Sequence, residues 1–104
     1  MLKIQIIRQV RIANLIKKIL TNNMLKNNIL LTITKVLINK DFKIIQVFLD
    51  LQNHSKEEKI LSYLDKNTIY FRKILSKSNI LKYTPKIQFK TDLNIKKLYL
   101  IKNL

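Results

Sequence analysis

Glycine, cysteine and tryptophan are absent from this chain, and proline occurs once, at Pro85. Without cysteine there is no disulfide framework, thiolate metal site or cysteine nucleophile; thiol redox chemistry is excluded and a reducing compartment is permitted. Without glycine, the Gly-x-x-Gly loop that lets backbone amides approach a phosphate closely cannot be built. Long apolar runs are missing too. The stretch from Asn27 to Thr34 is closed by Lys26 and Lys35, far short of the roughly 18–20 apolar residues that cross a bilayer. Lys3, Arg8 and Arg11 break up the N-terminus, and no apolar block leads to a small-residue cleavage site. A soluble, cytoplasmic protein whose mature chain starts near Met1 is expected.

Acidic residues are scarce. Six Asp and Glu stand against twenty-one Lys and Arg, a formal net charge of +15. Such an excess opposes compaction and asks for a polyanionic partner, either nucleic acid or anionic lipid. Ile, Lys and Asn dominate, a set that rises together in AT-rich coding sequence, so the basic balance carries less functional weight than its size suggests. What remains is enough for one domain over residues 1–104, since 47% of the 104 residues are hydrophobic. A chain of this length buries roughly 60–70% of its unfolded surface and needs a well-patterned core.

The patterning supplies one. From Arg8 to about Leu25, the residues Ile12, Leu15, Ile16, Ile19 and Leu20 recur at helical spacing, and the Asn cluster at 22, 23, 27 and 28 ends that helix. Leu30–Ile38 reads as a strand whose two halves are out of phase, which implies a bulge near Lys35 or burial of both faces. Asn39–Asp41 form a turn, and the alternation of Ile45, Val47, Leu49 and Leu51 makes the second arm of a hairpin. Ser55 and Glu58 match a capping box for a helix beginning at Lys56. Its stripe of Ile60, Leu61, Leu64, Phe71, Ile74 and Leu75 is interrupted at Asn67 and Thr68, where a kink or break is expected. Pro85 opens a final strand with Ile87 and Phe89 inward, and Leu98, Ile101 and Leu104 form a short apolar set beyond it. The expectation is an α+β fold, helix-strand-strand-kinked helix-strand, with a three-stranded sheet and the helices packed on one face. One core should hold Ile12, Ile16, Ile19, Ile33, Ile45, Val47, Leu49, Leu61, Leu64, Phe71, Leu75, Ile87 and Phe89.

Catalytic signals are weak. His54 is the only histidine and has no carboxylate or thiol neighbour in sequence, as expected of a loop residue rather than a base or ligand. Asp41 and Asp92 are placed to organise turns. No enzyme, cofactor, metal or small-molecule substrate is expected.

Several segments taken in order carry a resemblance. They are Arg11–Ala13 opening the first helix, Thr32–Val36, Lys40–Phe42 in the hairpin turn, Phe71–Leu75, Leu81–Phe89 and Asp92. In these the chain resembles the ribosome-binding factor A family over nearly its whole length, most strongly from Phe71 to Asp92. The resemblance implies a type II KH-like domain that binds the small ribosomal subunit, contacts 16S rRNA and assists late rRNA maturation, working as a monomer. Three departures stand out: a shorter end to the first helix and its loop, Asn67-Thr68-Ile69 in place of the family's Ala-x-Gly element, and no long polar C-terminal extension.

Since no glycine loop is available, phosphate contacts must come from side chains. Arg8, Arg11, Lys17, Lys18, Arg72, Lys73, Lys77, Lys82, Lys86 and Lys90 are the RNA-binding candidates, each set against a plain solvated charge. Arg11 and Arg72 stand out because the planar guanidinium suits phosphate, although Arg72 could instead pair with Asp65 or Asp92. Tyr63, Tyr70, Tyr83 and Tyr99 could stack on bases or be partly buried. Phe48 lies on the strand face opposite Ile45 and Val47. Two other classes remain open: a membrane-surface protein acting through the first helix, whose polar face offers only Arg11, Lys17 and Lys18, and a permanent small ribosomal protein.

Overall fold

No proline, glycine or capping residue interrupts the chain before Arg8, so the first helix begins earlier than its amphipathic stretch suggests. The computed structural model describes the backbone of residues 2–27, 29, 31–51 and 54–92, and the side chains of these apart from 2–6 and 54. Helix α1 spans Leu2–Lys26. It buries Ile12, Ala13, Ile16, Leu20 and Met24, a stripe at helical spacing; Leu15, expected within it, is 44% exposed. The correction is geometric: Leu15 lies about 100° round the helix from Ile16, which takes the centre of the buried face.

Strands β1 (Thr32–Ile38) and β2 (Ile44–Asp50) pair antiparallel, with a register shift between Ile33 and Lys35. That bulge resolves the phase conflict in the sequence. The extra residue at Thr34 lets both Ile33 and Val36 reach the core. The connecting turn is tied by Asn39, whose Oδ1 accepts the amides of Lys43 and Ile44 at 2.8 and 2.9 Å. Phe42 takes φ 58° there, a left-handed conformation that costs a non-glycine residue about 1–2 kcal/mol.

A 3-10 turn, His54–Lys56, precedes α2 (Glu57–Lys66). Here the expected capping box is corrected: Lys56 occupies the N-cap and makes no side-chain cap bond. Ser55 lies within the 3-10 turn, one residue before the N-cap position. The expected break falls at Asn67, between α2 and α3 (Thr68–Lys77). Asn67 has φ −105° and ψ 16°, a bridge-region conformation open to any residue, so no glycine is needed. Its Nδ2 donates to the Tyr63 carbonyl at 2.7 Å, and the Thr68 hydroxyl donates to the Asp65 carbonyl at 3.1 Å.

The α2–α3 crossover returns the chain to β3 (Lys86–Thr91), which lies parallel to β2 and sets Ile87 beside Ile45 and Phe89 beside Val47. Strand order is β1-β2-β3. One core joins α1, α2 and α3 to one face of this sheet, and holds all the expected residues, with Ile19 and Leu61 half-buried at its margin. Phe71 is at its centre, edge-on to Phe89 with ring centroids 5.4 Å apart. Asp92 is buried as well. Its Oδ2 accepts the Thr34 hydroxyl at 2.6 Å, and its amide donates to the Leu49 carbonyl at 2.8 Å. Along the outer edge of β1, Lys17 Nζ donates to the Thr34 carbonyl at 3.3 Å and Gln9 Nε2 to the Ile38 carbonyl at 3.4 Å. The apolar set at Leu98, Ile101 and Leu104 falls outside the described residues.

Candidate nucleic-acid interface

Three segments distant in sequence meet at the end of the sheet where β2 and β3 begin. The left-handed Phe42 puts its ring beneath the start of α1, and the Arg8 guanidinium carbon sits 5.2 Å from the ring centroid. Pro85 fixes the entry to β3, whose first amide, that of Lys86, donates to the Lys43 carbonyl at 2.9 Å. Arg72 reaches in from α3 and donates through Nη2 to the Thr84 carbonyl at 3.0 Å. A shallow cavity of about 410 Å³ results, lined among others by Phe42, Lys43, Arg72, Tyr83 and Lys86. Lys82 stands at its margin, with Nζ 5.7 Å from the Tyr83 ring centroid.

Arg8, Lys43, Arg72, Lys82 and Lys86 thus surround two aromatic rings. One carboxylate lies among them: Asp41, 3.9 Å from Lys43 Nζ in an exposed pair, which screening renders weak. Arg72 is the cation held most firmly. It is half-buried, one arm is bonded to main chain, and its buried Nε has no hydrogen-bond partner among the described residues. The buried Nε is shielded from an incoming anion, so a phosphate oxygen would be taken by the Nη end of this anchored guanidinium. It pairs with neither Asp65 nor Asp92. Tyr83 is 76% exposed, open to a stacked base.

The other candidates are dispersed. Arg11 and Lys18 are exposed on α1, and Lys17 is half-buried against the β1 edge. Lys73 and Lys77 are exposed on α3. Lys90 lies on the sheet face away from the helices, in register with Phe48, whose ring carries Lys35 Nζ 4.6 Å from its centroid. Lys43 and Lys35 were missed by sequence reasoning; Lys43 follows the Lys40-Asp41-Phe42 turn and could have been found there. Tyr99 and the His54 side chain fall outside the described residues. Among the described residues no group of three His, Cys, Asp or Glu could hold a metal ion, and no helix is long and apolar enough to cross a membrane.

Comparison with known proteins bears on the fold and the family. The family model for ribosome-binding factor A matches residues 8–104. A Coxiella burnetii ribosome-binding factor A is 32% identical over 91 residues, covering 88% of this chain and 74% of the relative. The crystal structure of ribosome-binding factor A from Thermus thermophilus superposes with TM-score 0.72 at 18% identity, covering 80% of this chain and 94% of that one. A solution structure of a Thermotoga maritima protein assigned to the same factor gives 0.70 at 20% identity, covering 79% and 84%. Coordinates of the Thermus thermophilus factor fitted into a cryo-electron-microscopy map of its 30S complex give 0.52 at 21% identity, covering 59% and 65%. The fold is therefore KH-like, and the chain belongs to the ribosome-binding factor A family.

Proposed function

We propose that this protein is a non-enzymatic assembly factor that binds the immature small ribosomal subunit through 16S rRNA and assists late rRNA maturation. It acts as a cytoplasmic monomer of one domain. The observation that carries this reading is the gathering of Arg8, Arg72, Lys82 and Lys86, with Lys43, around Phe42 and Tyr83. These side chains take the place of a glycine loop: cations hold the phosphates and the exposed Tyr83 offers a face to a base. Family membership gives the reading its ribosomal context, and the 30S complex of the Thermus thermophilus relative supports the choice of subunit. Arg11, Lys17, Lys18, Lys73, Lys77 and Lys90 lie outside this cluster and extend the positive field along α1, α3 and the sheet.

Filter binding to small-subunit rRNA across a salt series tests the proposal. If about five to eight phosphates are neutralised, log affinity falls against log salt with a slope on the order of −4 to −7. Arg72→Ala and Lys82→Ala should each weaken binding and make that slope shallower by about one. Unchanged slopes in a series over Arg8, Arg72, Lys82 and Lys86, with folding intact, would exclude this surface. Co-sedimentation with immature subunits in preference to mature ones distinguishes an assembly factor from a permanent ribosomal protein.

A further inference from the structure

Resting on the RNA-binding reading above, we propose that the cleft between the end of α1 and the α2–α3 break receives one unpaired nucleobase of the bound strand. This cleft shares no residue with the Phe42–Tyr83 cavity. It measures about 330 Å³ and is lined by Asn27, Ile29, Tyr63, Asn67, Tyr70 and Phe71. That volume is at the lower end of the roughly 300–1,000 Å³ range of small-ligand sites, suited to a flat ring more than to a whole nucleotide.

Its chemistry is layered. Phe71, buried, and Ile29, half-buried, are apolar. The phenols of Tyr63 and Tyr70 are 55% and 46% exposed, an uncommon outlay of aromatic surface on a chain with eight aromatic residues, four Tyr and four Phe. Aromatic faces beside an apolar floor favour the stacking of a base of any identity.

The polar groups add direction. Tyr70 Oη accepts from Asn23 Nδ2 at 3.3 Å and from Asn27 Nδ2 at 3.4 Å, so its own proton is left over to donate. Asn27 Nδ2 also donates to the carbonyl and Oδ1 of Asn23, at 2.9 and 3.3 Å. Asn67 Nδ2 is committed to the Tyr63 carbonyl. Among the described residues, the Oδ1 atoms of Asn27 and Asn67 accept no hydrogen bond. One O–H donor and two amide acceptors therefore border an aromatic cleft, a set that can match the mixed donor and acceptor edge of an unpaired base. The network is largely exposed, so it is not required to satisfy buried groups.

Positive charge acts on the cleft. The hydrogen bonds from Asn23 and then Asn27 pull the Tyr70 hydroxyl below its ordinary pKa, and the charges of Lys26 and Lys77 act in the same direction. Positive charge in this neighbourhood favours the phosphates of a strand over a free base.

The test compares a mixed-sequence single-stranded RNA octamer with an abasic ribose-phosphate octamer of equal charge, by fluorescence anisotropy with the full-length protein. Wild type should prefer the base-bearing strand by about 10-fold, within the range measured for base–aromatic stacking. Tyr63→Ala and Tyr70→Phe should each cut that preference to about 2- to 3-fold without altering the salt slope, while Val10→Ala, at an exposed apolar position on α1 outside both sites, keeps the full preference. If Tyr70–Asn27 is only a latch between α1 and α3, Tyr70→Phe lowers the Tm and leaves the preference intact, which overturns the proposal. Equal binding of the two octamers with a normal salt slope also overturns it and leaves the RNA-binding reading standing. Absence of binding to either overturns both. Nucleoside monophosphates that displace the octamer at micromolar concentration would assign the cleft to free nucleotides instead.

Discussion

Phe71 concentrates the energetics of this small core in one side chain. It is 1% exposed and meets Phe89 and Tyr70 edge-on, a geometry favourable for aromatic quadrupoles. Phe71→Ala is expected to cost about 3–5 kcal/mol, a large share of the roughly 5–15 kcal/mol that holds a domain together. Urea denaturation should show the midpoint falling sharply; an unchanged midpoint would place Phe71 at the surface. This residue was legible because it continues the helical stripe of Leu64 and Leu75. Asp92 was not. Sequence placed it in a turn, but it is buried and accepts the hydroxyl of Thr34, 58 residues away, and nothing local to Asp92 announces that partner.

Elements were legible where a single period runs unbroken. The alternation of Ile45, Val47 and Leu49 fixed the faces of β2, and Pro85 fixed the entry to β3. Where two geometries meet, the sequence left alternatives: the phase conflict in β1 allowed a bulge or two buried faces, and the bulge at Thr34 decided it. That bulge should be a point of high sensitivity, since the Thr34 hydroxyl bridges the Phe48 carbonyl at 3.3 Å and Asp92 Oδ2 at 2.6 Å. Thr34→Val preserves shape but removes the hydroxyl donor to a buried carboxylate, and about 1.5–3 kcal/mol of stability should be lost. A double-mutant cycle with Asp92→Asn would show the two losses to be non-additive if they share this bond. The capping box failed as a signal for a different reason. Ser55 and Glu58 have the right spacing, but Ser55 sits inside the 3-10 turn and the α-helix starts at Glu57.

For the whole molecule, charge acts in two opposite senses. A net +15 on 104 residues repels itself, so raising salt from about 10 to 300 mM should raise the Tm of the free protein by a few degrees as screening shortens to below 10 Å. RNA affinity should fall over the same range. A Tm that drops with salt would mean that attractive pairs outweigh the repulsion. The candidate site itself was only half legible: Arg8 lies far in sequence from the stretch that carries Arg72, Lys82 and Lys86, and the left-handed Phe42 and the β3 entry that gather them are tertiary facts. The edge of β1 carries a different consequence. Open strand edges recruit other chains, and β1, with the sequence TITKVLI, is an apolar, branched edge of that kind. By occupying the outward carbonyls of Thr34 and Ile38, Lys17 and Gln9 deny an incoming strand its acceptors. Gln9→Val with Lys17→Val should leave the chain folded yet give light-scattering aggregates at concentrations where wild type stays clear, so two side chains outside the core would set how crowded a cell this protein tolerates.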